Sequence, residues 1–271
     1  MKYLKLVGPY EHYGDPNMWD KDSPIQCVVD ACIYANEETD PNKQVMLLVE
    51  PRSIQPNVYD YVLKVADRYK YIFTHDSRLL NNLPNAKPLF WSTVWCRSEE
   101  VGRLDHIPKT KLISMVSSNK EMCPLHTERK RIARLYKDVI DVFGTIDGGN
   151  FVDPIDTLKD YKYSVVIENY KDDLWFTEKI LNCFATYTIP IYYGARDINV
   201  YFDAFGIIRC STIDELQDAI EMLVNDVDFA NSNYIMKEDH LKRNYELSKK
   251  YDNFERRFYE MYKDEIEGMF K

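Results

Sequence analysis

Short apolar runs alternate with amphipathic stretches along the whole chain. In the first half, residues 2–8, 45–50 and 69–76 read as strands, each an apolar run closed by a breaker or a charge. Between the last two, residues 56–69 place Val58, Tyr61, Val62 and Val65 at helical spacing, which predicts a strand-helix-strand unit. Residues 85–95 add a strand or an edge segment, because Pro88 has no N–H to give to a central ladder. A polar segment containing Pro108 follows and the alternation restarts, so a domain boundary is expected near residue 105, dividing the chain into 1–105 and 106–271.

The second half predicts strands at residues 111–118, 140–144, 161–169, 188–194 and 206–211. Residues 126–139 read as a helix with Ile132, Leu135 and Tyr136 on its buried face, and another helix opens at Thr177. Residues 212–226 form a helix whose start is set by a capping box of Thr212 and Glu215. From Asp228 onward the tail is helical. Leu241, Tyr245, Tyr251, Phe254, Phe258, Met261 and Tyr262 mark an amphipathic stripe there, expected to pack back on the N-terminal domain. Strands and helices in this alternation indicate a layered α/β fold.

With 271 residues, 45% of them hydrophobic, the chain can bury the core of one large or two ordinary domains. Its net charge of -9 gives no bulk attraction for a nucleic-acid backbone. The six cysteines, at 27, 32, 96, 123, 183 and 210, contain no Cys-x-x-Cys pair and lie near no histidine cluster. Reduced thiols fit better than a zinc site or a disulfide scaffold, so no metal is expected. The apolar start is too short for a signal-peptide core, and no run approaches the roughly 20 residues that span a bilayer. A soluble, cytoplasmic protein without stable membrane insertion is the expectation.

The candidate chemistry gathers at junctions where strands end and helices begin, the places where helix N-termini offer free N–H groups to anions. Lys179 stands in the first turn of its helix, where a cation opposes the helix dipole. It reads either as an anion ligand or as a solvated surface lysine, with Glu178 as an ordinary N-terminal charge. At the preceding junction Arg129, Lys130, Arg131 and Arg134 crowd one helix, most of them as a solvated face. Arg129, nearest the helix start, is the one placed to take a phosphate bidentately. Two such junctions, each with a cation, suit a nucleoside diphosphate. No Gly-x-Gly-x-x-Gly and no Walker loop is present, which counts against a dinucleotide dehydrogenase or a P-loop enzyme. Asp172 and Asp173 fit a solvated loop better than a metal-holding pair.

The stretch from Tyr163 to Gly194, with its strand, Glu168-Asn169, aromatic loop, Thr177-Glu178-Lys179, helix and Pro190 four residues before Gly194, resembles the donor-binding motif of the family 10 glycosyltransferases. These are the α-1,3/1,4-fucosyltransferases and their bacterial and phage relatives. The similarity extends back to Lys111. It implies a GT-B fold, two Rossmann-like α/β domains facing across a cleft, with an N-terminal acceptor-binding domain and a C-terminal domain that holds a GDP-sugar. It further implies that Arg129 and Lys179 bind the pyrophosphate, that Glu178 accepts hydrogen bonds from the ribose hydroxyls, and that Asn169 and Trp175 lie near the diphosphate and sugar. Trp175 stands where some fucosyltransferases have Tyr, which leaves the identity of the sugar open.

In the first half, Glu50 closes a strand and precedes Pro51, a placement that suits a base accepting the proton of an attacking hydroxyl. The resemblance likewise puts a catalytic Glu in such a segment. Arg52 is its partner or touches the acceptor, Glu11 and His12 are spare cleft candidates, and His75 reads as structural. The expectation is an inverting, metal-independent transfer of a sugar, fucose by default, from a GDP-sugar to a glycan hydroxyl. A hydroxylated base of phage DNA is the alternative acceptor, and a non-catalytic nucleotide- or glycan-binding module is the rival from a different class.

Overall fold

The computed structural model describes residues 2–8, 15–96 and 109–271. Its strands, in chain order, are β1 (Lys5–Val7), β2 (Gln26–Val29), β3 (Gln44–Leu47), β4 (Ile72–Thr74), β5 (Ala86–Pro88), β6 (Lys111–Val116), β7 (Asp141–Phe143), β8 (Tyr161–Ile167), β9 (Ile189–Tyr193) and β10 (Ile208–Arg209). The helices are α1 (Pro56–Val65), α2 (Ser77–Asn82), α3 (Pro124–Tyr136), α4 (Glu178–Ala185), α5 (Ile213–Asn225), α6 (Val227–Met236), α7 (Glu238–Ser248) and α8 (Phe254–Gly268). They fall into two units: Met1–Trp91 with Asn253–Lys271, and Ser92–Asp252. The boundary expected near residue 105, and the candidates Glu11 and His12, lie outside the described residues.

In the first unit five parallel strands run in the order β1-β2-β3-β4-β5, so each new strand is added on the same side of the last. Trp19 of the β1–β2 connection packs on the side of α8, whereas right-handed crossovers that advance in one direction put α1 and α2 on the opposite face. That face packs Val28, Met46 and Ile72 against Val58, Tyr59 and Val62 of α1. The alternate residues Cys27, Val29, Val45, Leu47 and Phe73 point the other way, and α8, from the far end of the chain, covers them with Phe254, Phe258, Tyr259, Tyr262 and Ile266. Pro88 is on the edge strand β5, consistent with its missing N–H.

Three local readings are corrected. The four-residue β2 carries too short a pattern to stand out in the sequence. On α1 the buried tyrosine is Tyr59, not Tyr61. Its hydroxyl donates to the Glu50 carbonyl at 2.7 Å and lies 3.2 Å from His75 Nε2, which satisfies the polar end of a buried ring. The apolar stripe of the tail is not one helix: Leu241 on α7 joins the core of the second unit, while Phe254, Phe258 and Tyr262 on α8 join that of the first, and Met261 is exposed.

The second unit holds a parallel sheet in the order β10-β9-β8-β6-β7. The chain enters at β6, steps to the edge at β7, and returns to the other side of β6 as β8. Successive connections therefore leave in opposite directions from β6 and β8, which opens a crevice beyond their carboxyl ends, the general ligand position of doubly wound sheets. Ile132, Ala133 and Tyr136 of α3 and Leu216, Ile220 and Leu223 of α5 fill the core, whereas Leu135 is exposed. Thr212 caps α5 by accepting the Glu215 N–H at 3.0 Å, and the Glu215 carboxylate accepts the N–H of Ser211, one residue before the cap. Among the described residues no helix is long and apolar enough to cross a membrane.

Candidate functional site

The crevice between β6 and β8 is a cavity of about 350 Å³ whose polar lining includes Ser117, His126, Arg129, Asn169, Glu178 and Lys179. This volume lies within the range of small-ligand sites. Trp95 and Phe151, both largely exposed, contribute apolar surface at its margin.

Glu168, between the lining residues Ile167 and Asn169, ties the end of β8 to the start of α4. Its N–H extends the β8–β9 ladder to the Tyr193 carbonyl at 3.0 Å, and its carboxylate, fully buried, accepts from the Thr177 N–H at 3.0 Å and the Thr177 hydroxyl at 2.7 Å. Burial pushes the Glu168 carboxyl up, and the Lys179 ammonium 3.8 Å away opposes that rise. Thr177 in turn caps α4. Its oxygen accepts from Lys179 Nζ at 3.0 Å, and the same ammonium lies 2.8 Å from Glu178 Oε1. Burial works against a charged Glu178, yet the Lys179 ammonium and its hydrogen bond hold that carboxyl below the usual range. Lys179 is therefore no solvated surface lysine. The anions that offset its position at a helix N-terminus are the protein's own two carboxylates.

Gly194, which closes the strand β9 segment, permits this packing. A Cβ there would fall 2.4 Å from the Tyr192 hydroxyl and 2.6 Å from Glu168 Cγ, both on buried side chains. Gly194→Ala is expected to lower the unfolding free energy by about 1–3 kcal/mol in urea titration, the usual cost of overpacking. An alanine variant as stable as the parent would show that Glu168 is not held there.

Arg129 behaves differently from Lys179. Only 7% exposed, it anchors to the end of β8 by donating from Nε to the Ile167 carbonyl at 2.9 Å, and its Nη2 is buried with no hydrogen-bond partner. Burial disfavours its charge, and Glu168 and Glu178 are the anions that offset this. Ser117, 1% exposed at the end of β6, has an Oγ that is likewise buried and unpartnered. Gly144 makes the close approach to Ser117 possible: its φ is +101°, and a Cβ would sit 2.2 Å from the Ser117 carbonyl oxygen. The other cations of α3 are already paired, Lys130 with Glu121, Arg131 with Glu128 and Arg134 with Asp147.

Asn169 and Trp175 come together as a pair, the indole N–H donating to Asn169 Oδ1 at 2.9 Å. Asn169 lines the cavity, while Trp175 is buried behind it. Asp173 binds Arg196 at 2.8 Å and accepts the Arg from outside the cavity, and among the described residues no cluster of His, Cys, Asp and Glu could hold a metal ion.

Glu50 and Arg52 belong to the first unit, just past β3. The main chain of Glu50 is fixed at both ends: Asp30 Oδ2 accepts its N–H at 3.1 Å and Tyr59 donates to its carbonyl. Asp30 also accepts the Val49 N–H at 2.7 Å and sits in the left-handed region at φ 46°, a conformation uncommon for a non-glycine residue. Arg52 is gripped bidentately by the buried Asp76, at 2.9 Å for each bond, and stacks on Tyr59 with its guanidinium 4.6 Å from the ring centroid. Asp30, Asp76, Ser117, His126 and the role of Glu168 escaped the sequence reading. The local signal is an acid that follows a strand, Asp30 after β2 and Asp76 after β4, parallel to Glu50 after β3.

No protein-family model matches the chain, and no curated protein matches it. Among solved structures the chain is similar to an α1,3-fucosyltransferase with GDP, at TM-score 0.54 and 17% identity, covering 83% of this chain and 71% of that one. It is also similar to an α1,3-fucosyltransferase with GDP-fucose, at TM-score 0.51 and 18% identity, covering 82% and 70%. At such identities the likeness shows the fold, which is of the GT-B type with two Rossmann-like α/β units.

Proposed function

We infer that the chain is a glycosyltransferase that takes a sugar from a nucleoside diphosphate donor bound in the second unit. The carrying observation is the pair of buried, unpartnered donors, Arg129 Nη2 and Ser117 Oγ, in one cavity at the point where the strand order reverses. A buried donor without an acceptor costs about 1–3 kcal/mol, which an incoming oxyanion would recover. A diphosphate supplies such oxygens, and the adjacent Lys179 ammonium adds a second cation.

Chemically, a fixed guanidinium and ammonium stabilise the charge that grows on the leaving diphosphate as the glycosidic bond breaks. Glu178, the half-open carboxylate of α4, accepts from the ribose hydroxyls, and Asn169, held by Trp175, faces the diphosphate and sugar. Glu50 removes the proton of the acceptor hydroxyl, so that attack from the opposite face inverts the anomeric centre. GDP-fucose is the donor that the likeness to fucosyltransferases favours, and a glycan hydroxyl is the acceptor that an acidic chain suits better than DNA.

The test is a panel of GDP- and UDP-sugars incubated with the protein and followed by NMR for released nucleoside diphosphate, with and without EDTA. Turnover of a GDP-sugar that persists in EDTA is expected, because Arg129 and Lys179 offset the diphosphate charge that a metal would otherwise neutralise. Binding of no nucleoside diphosphate sinks the reading, and binding only with added manganese sinks its metal independence.

A further inference from the structure

One group on the cavity wall has no part in the scheme above. His126 lies in the first turn of α3, and its ring, 6% exposed, lines the cavity beside Arg129. Its Nδ1 accepts the main-chain N–H of Met122 at 3.2 Å. An imidazole whose Nδ1 accepts a hydrogen bond carries its proton on Nε2 when neutral. Among the described residues the ring's hydrogen bond is the one at Nδ1, which leaves Nε2–H for a ligand. The charged groups around it are Arg129 one turn further along α3, Lys179 on α4 and Lys120 in the loop after β6, all cations. Burial first, and then these three cations, hold the imidazolium form down to about 4, so the ring is neutral at physiological pH.

The geometry points to His126 as a further ligand of the donor's diphosphate, its neutral Nε2–H donating to a phosphate oxygen in the same pocket as Arg129 Nη2 and Ser117 Oγ. This rests on the reading of the cavity as a nucleoside diphosphate site. The physical logic is division of labour between the two ring nitrogens. Nδ1 is spent on holding the turn at Met122, which fixes the tautomer and aims Nε2–H at the ligand. A donor without charge adds direction where two cations already offset the diphosphate, and a third buried cation would add desolvation cost and repulsion.

The two ring nitrogens can be separated by substitution. In His126→Asn the side-chain oxygen reaches the Nδ1 position and keeps the bond from Met122, but nothing reaches the place of Nε2. In His126→Gln the amide nitrogen reaches the Nε2 position and the hold on Met122 is lost. Calorimetric titration with GDP and with inorganic pyrophosphate, alongside thermal unfolding of both variants, is expected to show His126→Asn binding both probes about tenfold more weakly, as for one lost hydrogen bond to a charged group. His126→Gln should stay within about threefold of the parent despite a lower unfolding midpoint. The inference is overturned if the Asn variant binds like the parent, if both variants lose affinity equally, or if GDP affinity falls while pyrophosphate affinity does not. Failure of the parent protein to bind either probe would instead remove the nucleoside diphosphate reading beneath it.

Discussion

Arg129→Met is expected to weaken GDP binding by about 10²-fold in calorimetric titration, because it removes charge-assisted hydrogen bonds worth roughly 1.5–3 kcal/mol from a buried guanidinium. Methionine fills much of the same space, so the protein should remain folded and the loss should be one of affinity. Arg129→Lys is the sharper variant. The native guanidinium spans two tasks at once, with Nε on the Ile167 carbonyl and Nη2 left for the ligand. A single ammonium has no such fork and serves one end only. The lysine variant is therefore expected to recover little of the affinity despite restoring the charge. Lys130 cannot take over from the next position, since it is paired with Glu121. GDP affinity unchanged in a folded Arg129→Met protein would contradict the assignment of the cavity.

Glu50→Gln should reduce sugar transfer by about 10³-fold while GDP affinity stays within twofold of the parent, the pattern expected for loss of a general base with donor binding intact. The substitution preserves shape and removes the proton-accepting charge. It should also preserve the local backbone, because the main chain of Glu50 is held from both sides by Asp30 and Tyr59, neither bond involving its side chain. The check is initial-rate kinetics with the identified donor, paired with titration of GDP. Full transfer activity in the glutamine variant would move the base elsewhere, with Glu11 the next residue to replace.

Much of this molecule could be read from residues close together in the chain. The strands and helices from Lys111 onward announce themselves through period and caps: Thr212 does accept the Glu215 N–H, and Thr177 does cap α4. That Arg129, Asn169, Glu178 and Lys179 would come together was legible for the same reason, since they stand at strand ends and helix starts, and those four line one cavity. The reading failed where a residue's role depends on which group its side chain meets once the chain is folded. Glu168 looks like one member of a Glu-Asn pair until Thr177 is seen nine residues on, seated on its carboxylate. His126 looks like a polar residue at a helix start until Met122 fixes its tautomer. The stripe from Leu241 to Tyr262 looks like one amphipathic helix until it divides between two cores.

By itself, then, the sequence determined the α/β class and the positions of the charged junctions, because hydrophobic period, capping and strand-end placement are properties of neighbours along the chain. Tertiary structure alone decided that β8 returns to the far side of β6, that the tail divides so that α8 and not α7 joins the core of the first unit, and that Arg129 Nη2 is left with no acceptor. Those are outcomes of long-range packing. Whether a buried N–H finds an acceptor depends on groups that fold in from remote positions, and local pattern carries no information about them.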